Sequence, residues 1–250
     1  MTEFLEKIKH LAIEIDNQQV DQQAKEIMSI IQTIEKKQVL AKAPDILGFY
    51  PDKLEEIMTE VGPQKAAALK IINQLFNSTR QFLSIHYGLW SLPNLETAQA
   101  IKENLHVNSA LEIMAGNAYW TRALQKVGVQ TVATDSLQWA KTSRTGQQPF
   151  ASVVNLNASS AIAQYSAVDL ILCSWAPNFN LSDLAAVNAW QKYNPKSHFL
   201  FIGEKNGATN SPAFWHHEKF RHSPALRQIK QTFTSYDFID EQIFEIEHEI

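Results

Sequence analysis

Apolar residues recur at helical spacing through the first third of the chain, then gather into short continuous runs. Phe4, Ile8, Leu11 and Ile15 share one helical face, and Ile27, Ile30, Ile31 and Ile34 mark a second, longer helix. Pro44, Gly48 and Pro51 punctuate a break. Leu54, Ile57, Met58 and Val61 define a short third helix that ends at Gly62–Pro63. A fourth starts there, carries Leu69, Ile72, Leu75 and Phe76 toward Ile85, and is closed by Gly88 and Pro93. From Ser109 onward, apolar runs alternate with amphipathic stretches. The pattern predicts strands at 110–114, 131–134, 152–155, 168–173 and 198–202, and helices at 119–127, 181–193, 212–220 and 224–233. Between the second and third strands the chain is polar and irregular (141–149), as if a crossover helix were shortened. Residues 236–247 alternate, with Gln242, Phe244 and Ile246 in register, and predict a closing hairpin with an antiparallel edge.

This alternation describes an α/β, doubly wound, mostly parallel sheet with an all-helical N-terminal region. The division falls at 1–95 and 96–250. The N-terminal helices precede the sheet, so they cannot be its crossovers. They are expected either to cap the sheet and shape a pocket, or to form a homodimer surface, and the two roles can coexist.

Composition narrows the partners. The 250 residues are 45% hydrophobic and 19% charged, with a net charge of −4. That is an ordinary globular balance with no global basic field for nucleic acid or an anionic membrane. The basic group Lys219, Arg221, Arg227 and Lys230 reads more simply as a solvated face. No run approaches the ~18 apolar residues of a spanning helix. Charges throughout 1–16 argue against a signal peptide, so a cytoplasmic protein is expected. Cys173 is the only cysteine and lies in an apolar run, as a buried thiol would. The eight histidines show no metal-ligand spacing.

The candidate chemistry sits at residues 110–120, Ala-Leu-Glu-Ile-Met-Ala-Gly-Asn-Ala-Tyr-Trp, with Asp135 nineteen positions past Gly116. An apolar run carrying Glu112 leads to a turn centred on Gly116, then a helix, then a second run ending on a carboxylate. An open α/β sheet grips an adenosine in this way. A pyrophosphate needs more glycines than Gly116 alone, and Glu112 would repel it. A cationic ligand without phosphates meets neither obstacle.

The segment resembles motif I of the class I S-adenosylmethionine-dependent methyltransferases. It is similar to a subset with Gly-(Asn/Thr)-Gly-Tyr-Trp at this turn, with Met114 and Ala118 where that family has glycine. Further resemblances follow in order: Leu89-Trp90-Ser91-Leu92-Pro93 to an upstream Trp-x-x-Pro element, 169–177 to the fourth-strand motif, and Phe201-Ile-Gly-Glu204 with Phe214-Trp215 to the fifth-strand region. The resemblance spans roughly 87–250 and implies a seven-stranded, Rossmann-like sheet with S-adenosylmethionine as cofactor.

Asp135 is expected to accept two ribose hydroxyls, with a helix N-cap as the alternative. Glu112 would face the methionine ammonium or, alternatively, cap loop amides. Gly116, Asn117 and Ala118 would present backbone to the ligand, and Ser136 follows the acid. Asn157 and Ala158 align with a pair near adenine, though a turn role suits Asn157 nearly as well. Ser174 stands where base-methylating enzymes place Asn or Asp. Trp90, Trp175, Pro177 and Trp215 are the acceptor-lining candidates. If a general base exists, Glu204 comes first and Tyr87 second. The expected function is methyl transfer to a small molecule, with a protein acceptor not excluded. The alternative, motivated by Met114, Ala118 and Ser174, is an inactive binding or assembly module.

Overall fold

The computed structural model describes residues 2–141, 143 and 145–247. The sheet strands are β1 (Ser109–Ile113), β2 (Gln130–Asp135), β3 (Val153–Asn155), β4 (Leu170–Ser174), β5 (His198–Glu204) and β6 (Glu241–Glu245). Their spatial order is β3-β2-β1-β4-β5-β6. The first five run parallel and β6 is antiparallel to β5, with Glu204 opposite Glu241. The order reverses between β1 and β4, the switch point where open sheets of this kind take ligands.

Strict alternation along each strand sorts the core into two layers. Ala110, Leu170, Leu172, Leu200, Ile202 and Ile243 face one side. There they meet helices α6 (Leu95–Asn104), α7 (Tyr119–Lys126) and α11 (Pro224–Gln231). Leu111, Ile113, Ile171, Cys173, Phe199, Phe201 and Phe244 face the other. They meet α8 (Ala158–Gln164), α9 (Ser182–Tyr193) and α10 (Pro212–His217). Each fully buried Leu, Ile or Phe of β1, β4, β5 and β6 contributes roughly 1.5–3 kcal/mol, which holds those strands in register.

The N-terminal helices are α1 (Glu3–Ile15), α2 (Gln18–Glu35), α3 (Pro51–Val61), α4 (Ala66–Asn77) and α5 (Thr79–Tyr87). Their shared core, built on Ile8, Ile15, Ile27, Ile31, Leu69, Ile72 and Phe76, takes in Tyr119, Phe150 and Tyr236 from later in the chain. Polar contacts carry these helices onto the carboxyl ends of the strands. Asn117 Nδ2 donates to the Tyr87 carbonyl, and the Tyr119 hydroxyl donates to the Gln38 carbonyl. No helix among the described residues is long and apolar enough to cross a membrane.

The seven-stranded expectation needs correction: six strands form the sheet among the described residues. Of the expected hairpin at 236–247, only the second arm is a strand. The first is bent into a polar turn, because Asp237 and Ser235 are drawn under the Arg80 guanidinium. Beyond β6, Phe220 makes an isolated bridge to Ile246. Helices α6 and α8 were not anticipated. Asn94 caps α6 through Thr97 N, and Asn157 caps α8 through Ser160 N.

Candidate active site

The β1 exit combines a glycine-like backbone with few glycines. Met114, Gly116 and Ala118 lie at φ of 50°, 52° and 57°. All three are in the left-handed region, which costs an ordinary residue roughly 1–2 kcal/mol. Tertiary contacts hold them there. Ala118 is fully buried at the start of α7, and its N–H donates to the Ala115 carbonyl at 2.7 Å. The Ser182 hydroxyl reaches the Met114 sulfur at 3.6 Å. Ala115 N donates to the Thr134 carbonyl, tying the turn to β2.

Both carboxylates meet this turn. Glu112 is 2% exposed, and its Oε2 accepts from Thr121 N at 2.6 Å. Burial pushes its pKa up to about 7; the Thr121 bond opposes the shift, and the Asp135 charge adds to it. Asp135 is also buried. Its Oδ2 accepts from Gly116 N at 2.9 Å and its Oδ1 from Leu137 N at 2.7 Å. Two amides thus occupy part of the capacity of a carboxylate that can accept about four hydrogen bonds. Asn117 is buried as well, and its Oδ1 has no hydrogen-bond partner.

The β4 exit forms a second cluster. Trp175 holds φ 55°, and its indole stacks on Trp90 with centroids 5.3 Å apart and planes at 22°. Its Nε1 donates to Glu241 Oε1 at 2.8 Å, and the Arg80 guanidinium lies 4.8 Å from its ring centroid. Trp90 is 51% exposed, so one wall of the cluster opens to solvent. Ser174 and Pro177 flank it, both half-buried. A groove lined by Tyr50, Lys230, Phe238 and Glu241 opens beside this cluster; Glu112, Gly116 and Asp135 do not line it.

The structure therefore gathers Glu112, Gly116, Asn117, Ala118 and Asp135 around one turn, and Trp90 with Trp175 around another. Ser136 and the Asn157–Ala158 pair lie next to Asp135, where Leu156 N donates to the Asp135 carbonyl at 3.0 Å, whereas Trp215, Tyr87 and Glu204 are held by partners of their own. Ser136 is exposed, as is Asn157, whose Oδ1 caps α8, while Ala158 is buried as the first residue of that helix. Trp215 is buried among Phe214, Phe220 and Phe244, and its Nε1 donates to the Thr209 carbonyl. The Tyr87 hydroxyl donates to Glu35 Oε1 at 3.0 Å, and burial together with that carboxylate drives its pKa further above the usual phenol range. Glu204 Oε2 accepts from Ala208 N at 2.7 Å and closes its own turn.

Sequence reasoning missed Arg80, Asp237 and Glu241. A signal was present: Arg80 stands four after Phe76 and three before Leu83, in the middle of a buried stripe. It also missed Trp139, whose ring lies where a side chain at Gly116 would point, with Cζ2 3.7 Å from the position of an added Cβ.

No family model and no curated protein matches the chain. Solved structures similar to the chain include the CcbJ methyltransferase from Streptomyces caelestis, at 13% identity and a TM-score of 0.36 over 49% of this chain and 56% of that one. Mitomycin 7-O-methyltransferase MmcR is similar at 11% identity and a TM-score of 0.39, over 92% of this chain and 70% of that one. An rRNA methylase from Streptococcus thermophilus is similar at 9% identity and a TM-score of 0.38, over 64% of this chain and all of that one. The alignments cover about half the length of the first three such structures, at 46%, 48% and 56%.

Proposed function

We propose that the chain binds S-adenosylmethionine at the β1 exit and transfers its methyl group to a small-molecule acceptor held near Trp90 and Trp175. The observation that carries this reading is the alternation of left-handed residues at 114, 116 and 118. Two of the three are strained there, and such strain persists where the surroundings over-determine it, commonly at ligand sites.

The donor set fits this cofactor better than a dinucleotide. Glu112 and Asp135 place two acidic groups at the turn, which disfavours phosphate and suits a ligand carrying a sulfonium and an ammonium. Asp135 retains acceptor capacity for a ribose diol beyond its two amide bonds. When bound, the cofactor supplies a methyl group already activated by positive sulfur. The chain's task is then alignment, which alone can supply several kcal/mol. Trp175 is covered by Trp90 and Arg80, so the exposed indole of Trp90 offers the flat face to a planar acceptor, with Ser174 near the cluster to hydrogen-bond it. Glu204 remains the first candidate for a base. Tyr87 is a poorer one, since its hydroxyl already donates to Glu35. Residues 1–95 act as the cap over this site.

The reading is tested by isothermal titration with S-adenosylmethionine and S-adenosylhomocysteine. Saturable binding of both supports it, and no heat from either at millimolar ligand, from the wild type and from a Trp139→Ala variant alike, overturns it. The inactive-module reading draws on Asp135, part of whose capacity is taken up by the chain's own amides. S-adenosylmethionine or S-adenosylhomocysteine retained through purification would count against that reading.

A further inference from the structure

The irregular segment between β2 and β3 wraps over the β1 exit and is anchored to it at both ends. At its root, Leu137 N donates to Asp135 Oδ1 and Leu137 holds φ 55°. At its return, Phe150 N donates to the Asn117 carbonyl at 2.8 Å. Between these points lie two short 3-10 turns, Trp139–Lys141 and Thr145–Gln147. Ser143 braces them, donating from its amide to the Trp139 carbonyl and sharing a hydroxyl contact of 2.7 Å with Thr145.

Three glycines from three separate parts of the chain converge on the Trp139 indole. A Cβ at Gly88, Gly116 or Gly146 would lie 3.3, 3.7 or 3.0 Å from it. Three of the chain's eight glycines thus face one flat ring. Gly146 belongs to the same segment as Trp139, but Gly88 and Gly116 lie outside it, so the ring rests against two positions without side chains, one of them in the turn at the β1 exit.

We infer that residues 136–141 and 145–149 form a flap whose Trp139 indole covers the Gly116 turn, holding the place of a planar base and giving way when an adenosine-type ligand binds. The inference rests on the cofactor reading above. Two further features couple flap and ligand. The carboxylate expected to take a ribose diol also holds the flap's root through the Leu137 amide, so ligand and flap meet at Asp135. In the closed state Asn117 Oδ1 is buried without a partner, an uncompensated cost that opening relieves. Closure therefore lowers apparent affinity by the fraction of molecules that are open.

The test is isothermal titration of S-adenosylhomocysteine into the full chain, its Trp139→Ala variant and its Gly146→Ala variant, with urea midpoints to confirm folding. Trp139→Ala removes the plug. Gly146→Ala dislodges it, because a Cβ there would lie 2.6 Å from the Ala140 Cα and force the two turns apart. Both variants are expected to bind at least tenfold more tightly than the wild type. If the wild type binds and both variants bind equally or more weakly, Trp139 is a wall of the site; the plug is overturned and the cofactor reading stands. If none of the three binds at millimolar ligand, both fall.

Discussion

Replacing Arg80 by alanine should remove a large part of the molecule's stability. Arg80 is 4% exposed, and its guanidinium makes five hydrogen bonds. Two go to Asp237 in a fork of 2.6 and 2.9 Å, one to Glu241 at 2.8 Å, one to Ser235 and one to the Trp90 carbonyl. The rings of Trp175 and Tyr236 cover it. Burial alone would lower the pKa of the guanidinium, but Glu241, Tyr236 and Asp237 outweigh it and hold the value above normal. Alanine would leave two buried carboxylates facing each other without a cation. Breaking such a pair from one side costs about 3–5 kcal/mol, against a total of about 5–15 kcal/mol for a typical domain. Equilibrium urea unfolding followed by tryptophan emission measures the loss. The triple variant Arg80→Met, Asp237→Asn, Glu241→Gln removes all three charges and should recover most of it. A loss for Arg80→Ala of less than about 1 kcal/mol, the range of exposed pairs, would refute the reasoning.

Three further outcomes follow from the same geometry. Glu112 titrates near 4.5 when unfolded and about 7 when folded, so its contribution is full below pH 4.5 and lost as pH rises through 7. At ~1.4 kcal/mol per pH unit that amounts to on the order of 3 kcal/mol; urea unfolding at pH 5 and pH 8 should show a steeper decline for the wild type than for Glu112→Gln, and parallel declines would refute it. Asp135→Ala should weaken S-adenosylhomocysteine binding at least tenfold in titration calorimetry while the far-ultraviolet circular dichroism is retained; unchanged affinity removes Asp135 from the site. Cys173 is fully buried with its thiol pKa raised by that burial, so a disulfide reagent should leave the native protein unlabelled and label it fully in urea; rapid native labelling would contradict the strand register.

The sheet was legible because its chemistry is local. The continuous apolar runs Leu170–Cys173 and Phe199–Ile202 mark strands buried on both faces, and the two layers confirm it residue by residue. Helix α8 was not, because Ala-Ser-Ser-Ala-Ile-Ala-Gln has almost no apolar stripe, and its main signal is the Asn157 cap. The seventh strand failed for a different reason. Periodicity at 236–247 is real, but a buried arginine 157 residues earlier bends the first arm toward itself. A contact at that separation leaves no trace in a local window.

The turn at 114–118 shows the same limit more sharply. Read by residue type, Met114 and Ala118 are losses, because side chains stand where a ligand would want hydrogen. Read by backbone, they are not losses, since all three alternate positions keep a positive φ. What a ligand meets at such a turn is set by backbone direction and by whichever side chain fills the space above it. That space is occupied by Trp139, brought in by a segment whose polar, irregular sequence predicts no structure of its own. Missing glycines are therefore weak evidence against a working site here. Access to Gly116 depends instead on whether the Trp139 indole can leave Gly88 and Gly116.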